Sequence, residues 1–358
     1  MNSLRDGVYV TNRNREIVYW SKSAEKITGW SAEEIRGKGC FDGILCHVDN
    51  AGHSLCGKAF CPLHRSIQTG EMSNVPIILF ANTKDGRRIP MHVTVAPVYD
   101  EHGEIIGGVE CFRDLSETYK DLQHAKDIQK SILQANAPQD SRIQFRIHYT
   151  PFDVIGGDFY RIHQIDKDTY GVLVADVMGH GVAAALYTMH LHSLTDRYLE
   201  LMRHPEVFLF FMNESLNALS GDNISFAVAM CAVIDLKEQT LHISSAGMPY
   251  PLLFIKEELK ILKLTGLALG MFESSKYDVI KLPFHRDDKL LIYTDGATEI
   301  NNFNNEELGM EGLLEILKKR GYPNNPQISL ETVEKDLLEY SNNIHLQDDL
   351  TMLEISML

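Results

Sequence analysis

Four aspartates stand at the ends of apolar, β-branched runs. Asp158 follows Gly156-Gly157 and leads into Phe159-Tyr160, and Asp176 closes the run from Tyr170 and precedes Val177-Met178-Gly179-His180-Gly181. Asp295 ends Leu290-Leu291-Ile292-Tyr293-Thr294, and the pair Asp348-Asp349 precedes Leu350-Thr351-Met352. An Asp166-Lys167-Asp168 turn between the first two runs predicts that Asp158 and Asp176 share one end of adjacent antiparallel strands. One acid at a strand end serves equally well as a turn cap. Four in this order suit divalent Mg²⁺ or Mn²⁺, hard ions that take carboxylate, carbonyl and water oxygens and need acids converging from separate strands.

Gly-Gly-Asp-Phe-Tyr, Asp-Val-Met-Gly-His-Gly, Thr-Asp-Gly-Ala-Thr-Glu and Asp-Asp-Leu-Thr, in this order, resemble the motifs of a bacterial phosphatase family. It is the stage II sporulation E branch of the metal-dependent serine/threonine phosphatases, the type-2C class, and the resemblance covers about residues 122 to 358. It implies a catalytic set of Asp158, Asp176, Asp295 and Asp348 and a site for two Mn²⁺ or Mg²⁺ ions. Asp176 would bridge them and the Val177 carbonyl would complete one; Asp295 and Asp348 would hold one ion, and Asp158 the other, directly or through water. Asp349 is a neighbouring candidate ligand, with Asp348 preferred because the first acid of the pair matches the family's. The resemblance also implies hydrolysis of a phosphoprotein by metal-activated water, with a phosphorylated anti-sigma-factor antagonist of a partner-switching stress pathway as substrate. Val177 and Met178 stand where the larger eukaryotic relatives carry glycine and histidine, so no general-acid role passes to His180, and no arginine is assigned to the phosphate.

Two rival readings exist. Gly156-Gly157-Asp158-Phe159 is similar to the diguanylate cyclase signature, but the glutamate before phenylalanine is missing and the three later acid motifs would go unexplained. The alternative from another class is a non-catalytic signalling module that binds a partner; the intact set of acids argues against it.

The elements that must position these acids lie in a chain of 358 residues, long enough for two or three folding units. Hydrophobic content of 44% and charged content of 23% are those of a soluble globular protein. No apolar run approaches the ~20 residues of a membrane span, and Met1-Asn2-Ser3-Leu4-Arg5-Asp6 lacks the apolar core of a signal peptide. A cytoplasmic protein with no membrane partner is expected. The net charge of −15 is uneven, −1 as far as Leu115 and −14 beyond it. The acidity therefore lies where a cation site would use it and where nucleic acid would be repelled.

An α+β architecture follows from the order of the patterns. Gly7 to Trp20 reads as a hairpin, Ser23 to Thr28 and Ser31 to Ile35 as short helical turns, and Val75 to Phe80, Ile89 to Tyr99 and Glu104 to Phe112 as strands. With Asp6-Gly7-Val8-Tyr9-Val10-Thr11 and Tyr19 to Gly29, this order resembles a PAS sensor domain, placed at residues 1–115. Within it Cys40, Cys46, Cys56 and Cys61 are interleaved with His47, His53 and His64. Structural disulfides are not expected in the cytosol, so this insert (residues 40–64) raises metal or redox chemistry, although small buried cysteines and solvated histidines account for it more simply. Ser116 to Gln134 reads as helix with a weak seam at Leu115, Leu122 and Gln129 and at Thr118, Ala125 and Ile132. Residues 116–136 are thus a helical linker, either resting on one domain or pairing in a homodimer. Residues 137–358 make the catalytic domain, with helices at His204 to Ser220, Glu306 to Arg320 and Ser329 to Asn343, and with Ser225 to Leu236, Thr240 to Ser244 and Pro251 to Lys256 as one meander. The resemblance implies that these form a four-layer α-β-β-α sandwich.

Overall fold

The computed structural model describes residues 6–49, 52–56, 61–74, 78–133, 138–179, 181–218, 226–256, 258–302, 304–325, 328–341 and 346–358. The chain divides into two compact units, Met1–Gln123 and His124–Leu358.

In the first unit, β1 (Gly7–Asn12) alternates buried and half-buried residues and pairs antiparallel with β2 (Ile17–Trp20). The short helices α1 (Lys22–Thr28) and α2 (Ala32–Ile35) begin at Ser21 and Ser31, whose hydroxyls accept N–H groups of the first turn; Ser31 and Glu34 form a reciprocal cap. After α3 (Pro62–Thr69) come β3 (Ser73–Asn74), β4 (Leu79–Asn82), β5 (Arg88–Tyr99) and β6 (Ile105–Asp114), giving a sheet ordered β2-β1-β6-β5-β3 with β4 also on β5. Tyr9, Trp20 and Phe112 pack with ring centroids 5.4 to 6.4 Å apart. The expected strand from Val75 is present only as β4; residues 75–77 lie outside the described set. Helix α3 was not expected from the sequence, because eight residues opened by Pro62 and closed by Gly70 lie in a stretch dominated by cysteine, histidine and glycine.

Helix α4 (Ser116–Leu133) matches its expected span, although residue 134 is outside the described set. In the second unit, β7 (Ile143–Thr150), β8 (Asp158–Asp166) and β9 (Thr169–Val177) are followed by α5 (Val182–Arg197) and α6 (Pro205–Asn217). Then come β10 (Ala227–Asp235), β11 (Thr240–Ala246), β12 (Leu252–Ile255), β13 (Glu258–Ile261), β14 (Val279–Pro283) and β15 (Lys289–Tyr293), and finally α7 (Gly309–Arg320), α8 (Leu330–Ser341) and β16 (Leu350–Met357). Two five-stranded antiparallel sheets result, ordered β14-β11-β10-β9-β8 and β13-β12-β15-β16-β7.

Period-2 alternation sends Val172, Val174, Met230 and Ala232 between the sheets against Leu290, Ile292, Leu353 and Ile355. Their neighbours Leu173, Ala175, Ala229 and Cys231 face outward, under Leu191, Leu194, Phe208 and Met212 of α5 and α6. On the other side Leu291, Tyr293, Leu350 and Met352 lie under Leu313, Leu317, Val333 and Leu337 of α7 and α8. Strands buried on both faces carry continuous apolar runs, which is why these segments read as hydrophobic without alternation. The unit is the expected α-β-β-α sandwich. One expectation fails: β12 does not continue the β10-β11 meander but leaves for the second sheet, pairing with β13 and β15. Gly247 at φ +85°, Pro249 and Pro251 turn the chain out of the first sheet, and periodicity alone cannot say which sheet an apolar run joins.

Glu354, fully buried on β16, accepts from Arg146 Nε at 2.8 Å, from Ser356 Oγ at 2.8 Å and from the Tyr322 hydroxyl. Removing the guanidinium strands a buried carboxylate. Arg146→Met is therefore expected to lower the unfolding free energy of the second unit by about 3 kcal/mol in urea denaturation, the lower end for a buried pair because Arg146 is partly exposed.

Candidate active site

The β8-β9 ladder sets Asp158 directly opposite Asp176, at one end of the first sheet. Asp295 opens a single 3₁₀ turn after β15, and Asp348 and Asp349 enter β16, which pairs with β15 through Tyr293 and Met352. The ends of the two sheets are joined by a polar bridge. Asp158 Oδ2 accepts from Thr294 Oγ1 at 2.9 Å and from Thr351 Oγ1 at 2.6 Å, and the Thr351 N–H donates to Thr294 Oγ1 at 2.9 Å. Asp158 Oδ1 is buried without a partner, as is Asp295 Oδ1.

Asp348 and Asp349 do different work. The Asp349 carboxylate accepts the Phe152 N–H at 2.7 Å and the Gly157 N–H at 2.5 Å, so it holds the loop that leads into Asp158. Asp348 Oδ1 accepts the Asp349 N–H at 2.8 Å, and its charge reaches Asp176 and Asp295. Both glycines before Asp158 are required by crowding. A Cβ at Gly156 would lie 2.4 Å from the Tyr149 hydroxyl and 2.8 Å from Asp349 Oδ1, and one at Gly157 would lie 3.0 Å from the Gly179 and Val177 carbonyl oxygens. The Val177 carbonyl thus lies against Gly157, the residue before Asp158. Gly296 is similarly confined, its Cβ position 2.0 Å from the Asp349 carbonyl.

The electrostatics are those of negative charge crowded into a dry place. Burial, and then Asp176 and Asp349, push Asp158 well above the usual carboxylate range. Burial, Asp295 and Asp348 raise Asp176 to about 8, and burial, Asp348 and Glu299 raise Asp295 to about 6. Burial raises Asp349 also, against the N–H groups that favour its charge. An all-oxygen donor set with repelling charges and two orphaned oxygens fits hard divalent ions. Among the described residues no group of three or more His, Cys, Asp or Glu side chains is arranged in this conformation to hold an ion by itself, so water and backbone oxygens must complete any shell.

Four contributors escaped the sequence reading as site residues. Thr294 and Thr351 lie within the acid motifs and could have been flagged as hydroxyls flanking buried carboxylates. Glu299, exposed, acts on Asp176 and Asp295 through charge. Gln129 of α4 gave no signal: it occupies a seam position, yet it is buried, donating from Nε2 to the Gly156 carbonyl at 2.7 Å and accepting the Gly156 N–H on Oε1 at 3.2 Å. With Leu133 buried among α5 and α6 side chains, the C-terminal turns of α4 rest on the catalytic unit itself. His180 is outside the described residues. Elsewhere, Cys40 and Cys61 are buried in the first unit, Cys46 and Cys56 partly so, and all four are free thiols.

The family model described as stage II sporulation protein E (SpoIIE) matches residues 166–358, and a PAS domain model matches residues 5–117. The chain is 31% identical over 187 residues to the phosphoserine phosphatase RsbP of Bacillus subtilis, covering 51% of this chain and 46% of that protein. To the phosphoserine phosphatase RsbU of the same organism it is 23% identical over 211 residues, 58% of this chain and 60% of that one. The chain thus spans about half the length of the curated relatives it matches. Among solved structures, the SiaA-PP2C domain of Pseudomonas aeruginosa superposes with TM-score 0.59 at 24% identity, over 68% of this chain and 98% of that domain. The PP2C domain and regulatory fragment of SpoIIE from Bacillus subtilis gives 0.51 at 15% identity, over 74% and 71%.

The raised carboxylates set a pH dependence. Asp176 and Asp295 bind protons more tightly folded than unfolded, where the value is near 3.8, so the ion-free native state loses stability as pH rises from about 4 to about 8. Thermal unfolding of the catalytic unit without divalent ions is expected to show that decline, Asp176→Asn to flatten it, and Mn²⁺ to reverse it at the upper end.

Proposed function

The chain belongs to the stage II sporulation protein E family, and from that premise we propose that it is a Mn²⁺- or Mg²⁺-dependent phosphoserine/phosphothreonine protein phosphatase governed by its N-terminal PAS-type unit. One observation carries the reading: acids from both sheets, Asp158 and Asp176 from one and Asp295 and Asp348 from the other, gather at a single end of the sandwich around the Thr294-Thr351 bridge. Asp176, the Val177 carbonyl, Asp295, Asp348 and, directly or through water, Asp158 are the groups that would hold two ions. When bound, such ions neutralise phosphoryl oxygens and acidify a water for in-line attack on phosphorus. The reaction so served would be hydrolysis of a phosphomonoester, in which one water gives its hydroxyl to phosphorus as the P–O ester bond breaks and its proton to the departing serine or threonine oxygen.

The chain's own residues keep this arrangement in register. Thr294 and Thr351 fix the Asp158 carboxylate, Asp349 ties down the loop before it, and Gly156 and Gly157 admit that close approach. We take the substrate to be a phosphoprotein of a bacterial partner-switching pathway, an anti-sigma-factor antagonist, and the setting to be the cytoplasm. No helix among the described residues is long and apolar enough to cross a membrane.

Asp176→Asn, Asp295→Asn and Asp348→Asn are each expected to reduce Mn²⁺-dependent hydrolysis of p-nitrophenyl phosphate and phosphopeptides at least ~100-fold, since each removes several kcal/mol of charge stabilisation. Asp349→Asn should cost less turnover and more stability. Turnover that is indifferent to chelator, or intact in Asp176→Asn, would overturn the metal-site assignment, and no Mn²⁺-dependent turnover in the unaltered chain would leave a partner-binding module instead.

We also propose that residues 116–136 link a sensor at 1–115 to the phosphatase at 137–358 as a coupling helix rather than a slack tether. Two alanines inserted after Lys126 rotate what precedes them by ~200° about the helix, whereas seven residues nearly restore the phase. The short insertion is expected to fix activity high or low, and the heptad to keep the response to the signal. Identical behaviour of both would make the helix passive.

A further inference from the structure

The central strand of the first unit breaks its own pattern. β6 lies between β1 and β5, and its inward residues should all be apolar. Glu110, directly opposite Tyr9 and Val95 and facing the same side as Phe112, is 1% exposed. Tyr9 stands opposite it in the ladder, and His47, 5% exposed, places Nε2 at 3.5 Å from Glu110 Oε1, longer than a hydrogen bond, so both atoms are buried without a partner. Three thiols crowd the same spot. Cys56 Sγ accepts the His47 N–H at 3.1 Å, and Cys40 and Cys61, both buried, lie within electrostatic reach of Cys56, of each other and of Glu110. A protein core does not gather a carboxyl, an imidazole and three thiols for packing alone, because apolar residues of the same volume would fill it without unsatisfied atoms.

We propose that Cys40, Cys56, Cys61 and His47 bind one soft divalent ion, of the zinc type, inside the N-terminal unit, with Glu110 as the acceptor that orients the His47 ring. Three sulfurs and one imidazole nitrogen are the donor set of a closed tetrahedral site. His47 would bind through Nδ1 and donate its Nε2–H to Glu110, the carboxylate-histidine-metal pattern that fixes tautomer and ring orientation. Binding releases the thiol protons to solvent. Burial raises the Cys61 thiol as it does the other two, while the backbone N–H of His64, in the first turn of α3, and the Arg15 guanidinium oppose that rise. Among the described residues these donors lie near one another without being arranged to hold an ion, so occupancy has to draw them together. Oxidation to a disulfide is the weaker reading, since burial holds the Cys40 and Cys56 thiols protonated and so unreactive towards peroxide.

The test uses the full-length chain, stripped with chelator and titrated with Co²⁺ alone. Oxygen ligands of the catalytic unit give no sulfur-to-cobalt charge-transfer absorption, so that absorption reports the thiol site. It is expected to appear, to saturate at a single ion per chain, and to vanish on adding Zn²⁺. Cys56→Ser and Cys61→Ser should each abolish or sharply weaken it, Glu110→Gln should lower the apparent Co²⁺ affinity about 10- to 100-fold, and Cys231→Ser, in the other unit, should leave it intact. No such absorption in the wild-type chain overturns the site, however the variants fold. Absorption undiminished in both cysteine variants overturns the ligand assignment, and peroxide-driven loss of paired thiols without any cobalt absorption replaces the site with a redox pair.

Discussion

A single carboxylate spans the sandwich. Asp158 leaves the first sheet and accepts two hydroxyls from the second, and those hydroxyls belong to strands that are themselves paired. Every other acid is placed by its distance along the chain from this knot. Asp176 is opposite Asp158 in the ladder, Asp295 follows Thr294, and Asp348 precedes Thr351 by three positions. The repulsion among them is large, and it is tolerated because the strands that carry them are buried on both faces. A scaffold held by two-sided apolar packing can keep charges together that would separate on a looser one.

The two units offer opposite chemistries. The acidic end of the second unit presents oxygens alone, which suits hard divalent ions. The interior of the first unit presents sulfur and imidazole away from water, which suits ions that bind thiolate strongly. Charge follows the same division, with nearly all the acidity in the unit that uses oxygen donors.

Much of this was legible in the residues. The acid-glycine motifs marked the strand ends, and the Asp166-Lys167-Asp168 turn fixed the register that brings Asp158 and Asp176 face to face. The sheet to which β12 belongs was not legible, because a four-residue apolar run bounded by Gly and Pro fits either sheet. Nor was Gln129, whose partners are backbone groups of Gly156 and so leave no trace in side-chain pattern. The difference between Asp348 and Asp349 was visible only as a family match; in three dimensions it is the difference between an acid that acts through its charge and one engaged by backbone N–H groups. Glu110 could have been found from sequence, as a charged residue at an inward position of a central strand.

The amide of Gln129 ties the end of α4 to the second compact unit, which begins at His124. It satisfies both the N–H and the C=O of Gly156, two residues before Asp158, from a helix that a motif search would leave outside the domain. A catalytic fragment cut after Leu133 keeps every acid and loses that clamp, returning a backbone pair beside the site to solvent. Replacing the N-terminal unit would leave this backbone pair satisfied only if the junction fell upstream of Gln129.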